Sequence, residues 1–355
     1  MSRKTHVCRV WVDEPIKKEL NLEFVCFLNS TRATQKIKTL QKYIQKHPTG
    51  WKKHLELGEL LYEQGNWTAA IAAYQQVIER QPQLINIRIK LGKIWQLIGQ
   101  HQDAVLLYQE TIEICSKSAT QQHIRGLISL CAQKLAQAEN YFFLATQEEH
   151  QNPAHWLALG RTQLQQCKYK AALNSFEKIV MMEPDDVIAL CHIHDLQLIL
   201  KQGEESKVTL QKIESLAPDD YLTLTRLVAQ RLRQNLISGI EGKQTQKILI
   251  TLSKLAPYSV KVTQLKSKYY QLKGKRSKSL ELWQAFTQNY PDNFQGWYCY
   301  AKALFSQQKN QSASEMILKA YQLCPQDPQI KKTLVDIWHR ADRSKELLEV
   351  IKKHH

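Results

Sequence analysis

"HWLALGRTQLQQCKYKAALNSFEKIVMMEP", residues 155–184, sets Trp156, Leu159, Gly160, Tyr169, Ala172, Phe176 and Pro184 at intervals that recur elsewhere in the chain. Three periods of 34 residues upstream stand Leu57, Gly58, Trp67, Ala70, Tyr74 and Pro82. Gly126 and Gly92 precede Gly160 by one period and by two. Prolines keep the same beat: Pro48 and Pro82, Pro184 and Pro218, Pro257 and Pro291, and Pro291 and Pro325 are each 34 apart. Ser116 and His150 occupy the two beats that lack proline. A fixed period of this length marks a repeat array, in which each unit is buried by its neighbours and not by one central core.

That reading changes what length and composition mean. A chain of 355 residues would ordinarily hold two or three globular domains, but an array escapes that arithmetic. With 43% hydrophobic and 23% charged residues the chain can fold. No run of 18 apolar residues is available to cross a bilayer. The opening "MSRKTHVCRVWVDEP" lacks an apolar stretch, because Asp13, Glu14, Lys17 and Lys18 interrupt it, which argues against a secretory signal. Eight cysteines, at 8, 26, 115, 131, 167, 191, 299 and 324, form no CxxC pair. They are expected to be buried or half-buried free thiols in a reducing compartment, and the protein to be cytoplasmic.

The net charge of +16 marks a basic protein, but the charge is uneven. Residues 1–50 carry ten basic and four acidic groups, residues 51–220 carry 16 and 20, and residues 221–293 carry 13 and three. A basic stretch confined to one part of an array says more about partners than the total does.

Within the period the apolar spacing is helical. Trp156, Leu159, Gly160, Gln163 and Leu164 follow three- and four-residue steps, and after "QCKYK" the pattern resumes with Ala172, Leu173, Phe176, Ile179 and Val180. Two helices joined by a short turn make an αα-hairpin. Gly160 and Ala172 let its two backbones approach, Trp156, Tyr169 and Phe176 fill the gaps, and Pro184 ends the second helix.

The pattern W-x2-L-G at 156–160, A-x3-F at 172–176 and the closing Pro184 resembles the tetratricopeptide repeat, and residues 51–84 match nearly as well. The resemblance implies an all-α tetratricopeptide-type α-solenoid, a right-handed superhelix of about nine helix hairpins plus a short C-terminal helix pair. The units fall at 17–50, 51–84, 85–118, 119–152, 153–186, 187–220, 221–259, 260–293 and 294–327, after an N-terminal arm (1–16) and before C-terminal capping helices (328–355). In the first unit Ile16, Leu20, Phe24, Phe27 and Leu28 line one face. The unit at 187–220 has His194 in place of its glycine, and the seventh is five residues longer, with the excess expected in the turn "NLISGIEGKQ" (235–244).

Catalytic and metal chemistry find little support. In "CHIHD" (191–195), His192 and His194 are two residues apart and point roughly 200° apart on a helix, so they cannot share a metal. "GIEGKQT" (239–245) echoes a phosphate loop but lacks the four-residue gap before Gly-Lys and the preceding strand. No nucleophile–base order or carboxylate pair stands in a supporting context. The expectation is a non-enzymatic protein with no cofactor and no metal.

By resemblance, particular first-helix positions line a concave groove. In the middle units these are Leu127, Leu130, Leu157, Leu164, Ile188, Leu198 and Ile199. In units seven to nine they are Arg233, Lys261, Gln264, Lys268, Gln271, Tyr298 and Lys302. Family members that bind chaperone C-termini carry a clamp of Lys and Asn, whereas here Leu55 and Glu59 stand at such positions. The leading expectation is a protein–protein interaction scaffold or assembly adaptor, with a partner protein or peptide that offers apolar anchors and acidic residues. A regulatory module acting with a separate enzyme is a variant of it. The rival is an RNA-binding helical-repeat protein using the basic 221–293 region, where 261–283 mixes basic residues with Tyr269, Tyr270 and Trp283.

Overall fold

The computed structural model describes residues 31–63, 66–325 and 327–341. The arm at 1–16, the apolar face from Ile16 to Leu28, Cys8, Cys26 and the end of the C-terminal cap lie outside the described residues. Among those described, all regular structure is helical. The order is α1 (Thr31–Lys46), α2 (Trp51–Glu63), α3 (Trp67–Arg80), α4 (Ile85–Leu97), α5 (His101–Ile114), α6 (Ser118–Cys131), α7 (Leu135–Glu148), α8 (Pro153–Gln165) and α9 (Tyr169–Met182). It continues with α10 (Val187–Ile199), α11 (Gly203–Leu216), α12 (Tyr221–Arg233), α13 (Gly239–Leu255), α14 (Val260–Leu272), α15 (Arg276–Asn289), α16 (Phe294–Ser306), α17 (Asn310–Leu323) and α18 (Pro328–Arg340). Two compact units, Met1–Thr223 and Leu224–His355, divide inside α12.

In each unit a helix packs mainly on its predecessor and successor, as a solenoid requires. The cores are accordingly serial. One cluster runs from Ile37 through Tyr74 to Leu107, the next from Ala104 through Phe142 to Leu159, and a third from Leu164 through Phe176 to Leu196. In the second unit a cluster runs from Val260 through Trp283 to Trp338.

Two further combs, both set by backbone chemistry, beat with the first. Most first helices from α8 onward open on a side-chain cap. Asn152, Asp186, Ser259, Asn293 and Asp327 accept hydrogen bonds from the backbone N–H groups of Ala154, Ala189, Val262, Gly296 and Gln329. Asp220 accepts from Leu222 N–H at 2.7 Å. The first turn's unpaired N–H groups make such residues worth about 1 kcal/mol each. The second comb lies at the end of the first helices, where residues 99, 133, 167, 201, 235, 274 and 308 all take positive φ. The next N–H then reaches back to the last turn, as Lys134 N–H does to Ser129 O at 2.9 Å. Gly99, Gly274 and Asn235 suit this conformation; Gln133, Cys167, Lys201 and Gln308 strain it. Gln133→Gly and Lys201→Gly are each expected to raise unfolding free energy by about 0.5 kcal/mol or more, measured by urea titration.

The glycine comb acts as the sequence implies. A Cβ on Gly58, Gly92, Gly126 or Gly160 would lie 2.8, 2.3, 2.5 or 2.9 Å from the ring of Tyr74, Tyr108, Phe142 or Phe176, each on the following helix. Where the first residue is larger, the partner shrinks. His194 has Leu210 sixteen residues on, and Val228 has Leu249 after the insertion. Ser267, by contrast, accepts a hydrogen bond from Trp283 Nε1 at 3.1 Å.

Two expectations need correction. Only two of the five extra residues of the seventh repeat lengthen its turn, which is 234–238 against three residues at 166–168; the other three lengthen α13, which starts at Gly239 and is 17 residues long against 14 in the other second helices from α3 to α17. "GIEGKQT" is therefore helix, held by Arg231, whose guanidinium donates to Thr245 Oγ1 and to Glu241 O and its carboxylate. Among the cysteines, Cys115 and Cys191 are buried and Cys131, Cys299 and Cys324 half-buried, but Cys167 is exposed, because it sits in a positive-φ turn.

Candidate functional site

Hairpin stacking leaves side chains of the first helices facing away from the second helices, so a binding face has to be assembled from equivalent turns of successive first helices. The two units carry different chemistry on these turns.

In the N-terminal unit, Leu127 and Leu164 are only 4% and 6% exposed and belong to the serial core, so they are not available to a partner. Leu130, Leu157, Ile188, Leu198 and Ile199 are half-buried. Of these, Leu130 and Leu157 pack against core clusters, whereas Ile188, Leu198 and Ile199 belong to none of the clusters described. The apolar part of the face therefore shifts toward α10.

Polar residues that the groove expectation passed over share this face. The residue after each comb glycine occupies one register: Glu59, Lys93, Leu127, Arg161 and, after His194, Asp195. Lys90 Nζ lies 2.7 Å from both oxygens of Glu59. Burial, then Arg161 and Lys90, pulls the Lys93 ammonium down to about 8, and burial lowers Arg161 to about 10. The signal was legible, since Glu59, Lys93 and Arg161 each follow a glycine already recognised.

Beside them is a buried histidine pair. His123 and His155 meet Nδ1 to Nδ1 at 3.0 Å, and His155 Nε2 faces Glu149 Oε2 at 3.3 Å. One proton arrangement satisfies all three groups: His155 donates from Nε2 to the carboxylate and accepts at Nδ1 from His123. Burial pushes both pKa values down, for His123 with help from Lys93, for His155 against the raising effect of Glu149. A folded pKa below the unfolded value means that the unfolded chain binds more protons as pH falls below about 6.5, so stability is complete above that value and lost beneath it. Melting temperature is expected to fall between pH 6.5 and 5.5, a loss of about 1–2 kcal/mol. His123→Leu with His155→Leu should flatten that limb, and a parallel profile for the double variant refutes the assignment.

The two histidines of "CHIHD" are absorbed by packing. His192 stacks on Phe176 with centroids 4.4 Å apart, and His194 Nδ1 lies 2.9 Å from Ser206 O. Among the described residues no three His, Cys, Asp or Glu side chains converge as metal ligands, and no helix is long and apolar enough to cross a membrane.

In the C-terminal unit the expected positions are cationic and partly committed. Arg233, Lys268 and Lys302 are exposed and Lys261 is half-buried. The Lys302 ammonium sits 5.3 Å over the Tyr298 ring. Gln264 donates to Cys299 Sγ at 3.2 Å, and Gln271 to Ser279 Oγ at 3.2 Å. Trp283 and Tyr269 are each 2% exposed, which leaves only half-buried Tyr270 of the three aromatics to stack on a base.

Comparisons with known proteins agree with this architecture. Family models described as TPR repeat and as tetratricopeptide repeat match residues 58–99 and 267–328. Among solved structures, one titled as the APC/C hetero-tetramer Cut9-Hcn1 superposes with a TM-score of 0.60 at 11% identity, over 86% of this chain and 59% of that one. This chain therefore spans less than two thirds of that neighbour. A tetratricopeptide repeat protein from Parabacteroides merdae gives 0.42 at 15% identity over 80% and 97%. YrrB, titled a TPR protein with an unusual peptide-binding site, gives 0.33 at 14% over 52% and 95%. No curated protein matches the chain.

Proposed function

Because the chain belongs to the tetratricopeptide-repeat family, whose arrays serve in general as protein–protein interaction scaffolds, we propose that it is a non-enzymatic adaptor holding a partner segment against its first helices. The observation that carries this reading is the half-buried apolar row of Leu130, Leu157, Ile188, Leu198 and Ile199, five large side chains left partly open by the hairpin stack. Apolar side chains flanked by charge suit a segment with hydrophobic anchors and acidic residues, bound in a groove. The exposed cations Arg233, Lys268 and Lys302 add a second attraction for acid.

RNA binding through 221–293 is the weaker reading, because two of the three aromatic platforms are core. Affinity purification of the full chain with and without nuclease, alongside a chain with the apolar row replaced by Asp, tests the choice. Partners that survive nuclease and vanish with the apolar substitutions are the expected result. Partners lost with nuclease and kept by the apolar variant overturn it.

A further inference from the structure

The hairpin tips of the C-terminal unit, where its first helices end, are tied edge to edge. Tyr269 Oη, near the end of α14, donates to Gly242 O in the first turn of α13 at 3.3 Å. Gln307 Nε2, just past α16, donates to Arg276 O at the start of α15 at 3.3 Å. Asn310 Nδ2, at the start of α17, donates to Arg340 O at the end of α18 at 3.2 Å. What this edge shows to water is positive. From 242 to 280 the chain carries ten Lys or Arg and no Asp or Glu. Lys243, Lys273, Lys275, Arg276, Lys278 and Lys309 stand on the tips, all exposed, and none makes an ion pair among the described residues. Glu241, the acid just before this stretch, is held by Arg231. Tips of the N-terminal unit are neutralised instead: Lys168 pairs with Glu139 and Lys207 with Glu204. Among the cations stands one large apolar side chain, Ile240 in the first turn of α13, which is 77% exposed.

We propose that this edge docks on an anionic membrane surface, its cations against the lipid headgroups and Ile240 entering the apolar layer beneath them. Clustered lysines and arginines are drawn to a negatively charged leaflet, and an apolar side chain set among them adds burial in the acyl boundary. The cations project from hairpin tips and do not line a groove, so a broad surface can meet several tips at once. A nucleic-acid strand would find less here. The Gln307 and Asn310 amides are occupied by backbone carbonyls. The Tyr269 ring is 2% exposed, with the Lys273 ammonium 4.7 Å from its centroid, so it offers no stacking platform. Such a strand would use the charge and leave the isoleucine in water, whereas a bilayer uses both. The edge is separate from the first-helix face proposed for the partner segment and leaves that face open.

Sedimentation with lipid vesicles tests this. The full chain is expected to sediment with vesicles of phosphatidylcholine mixed with phosphatidylserine, and to stay in solution with phosphatidylcholine alone. Lys275→Gln with Arg276→Gln and Lys278→Gln should weaken binding by about a hundredfold, roughly fivefold for each cation. Ile240→Ser should weaken it roughly tenfold. All four positions are exposed, so the variants should melt as wild type does. Leu157→Asp with Leu198→Asp, which strikes the groove, should leave vesicle binding unchanged, so the two surfaces fail separately. Equal binding to the two kinds of vesicle, or an Ile240→Ser variant that binds as wild type, overturns the docking. No vesicle binding, together with an oligouridylate that wild type holds and the triple variant releases, assigns the edge to nucleic acid instead.

Discussion

Gly160→Leu is expected to lower stability by about 3 kcal/mol or more, while Pro184→Ala costs less than about 1 kcal/mol. The first Cβ already falls 2.9 Å from Phe176 Cζ, on a ring that is fully buried between α8 and α9. The remaining leucine atoms need space that a close-packed hairpin does not hold. Pro184 is exposed, and its carbonyl accepts from Lys212 Nζ whatever the side chain. The compensating pairs in other repeats supply an internal test. His194 and Val228 are tolerated where leucine stands in place of the ring, so Phe176→Leu should relieve part of the cost of Gly160→Ala. A coupling of about 1–2 kcal/mol in the double-mutant cycle is expected. Equal thermal shifts for Gly160→Leu and Pro184→Ala would show that the close approach is not what holds the hairpin.

Sequence alone reveals this packing because one glycine and one ring, sixteen residues apart, recur four times. The cap comb at Asn152, Asp186, Asp220, Ser259, Asn293 and Asp327 was equally periodic but chemically mixed, so identity matching passes over it. The positive-φ comb is less legible still, because the Schellman-type geometry is imposed by the helix end and accepts Gln, Cys and Lys at a cost. The tryptophan position shows the same disguise. Trp156 and Trp297 donate from Nε1 to His150 O and Pro291 O at 2.7 Å, and Arg88 donates to Pro82 O from the equivalent site. What repeats there is a donor aimed at the corner carbonyl, not an aromatic ring. For the binding face, position within the period predicted which residues lie on first helices. It did not separate Leu164, sealed by Phe176 and Leu196, from Leu198, which belongs to none of the clusters described. That distinction depends on how the neighbouring hairpin leans, and no local pattern encodes it.

Leu157→Asp with Leu198→Asp is expected to abolish partner binding, whereas Lys261→Glu with Lys268→Glu weakens it severalfold. Leu198 and not Leu164 is substituted, because a charge at a 6% exposed core position would unfold the hairpin and report nothing about binding. At half-buried positions the folded state can keep aspartate wet, so melting temperature and helicity should stay close to wild type. The bound state cannot, since desolvating two carboxylates against an apolar anchor costs several kcal/mol, more than a groove complex of ordinary strength can lose. The lysines act differently. They are charges near water, screened within roughly 10 Å at ordinary ionic strength, and their reversal chiefly slows association. Salt separates the two classes of partner. An apolar-anchored peptide with a few acidic residues should lose roughly tenfold in affinity between 50 and 200 mM salt, because apolar burial is not screened. A strand that contacts six or more phosphates should lose about 10³-fold over the same range. A neutral leucine pair, together with RNA binding whose steep salt slope the lysine pair flattens, would transfer the function to nucleic acid. Abolition by the leucine pair with a shallow slope assigns it to a protein partner.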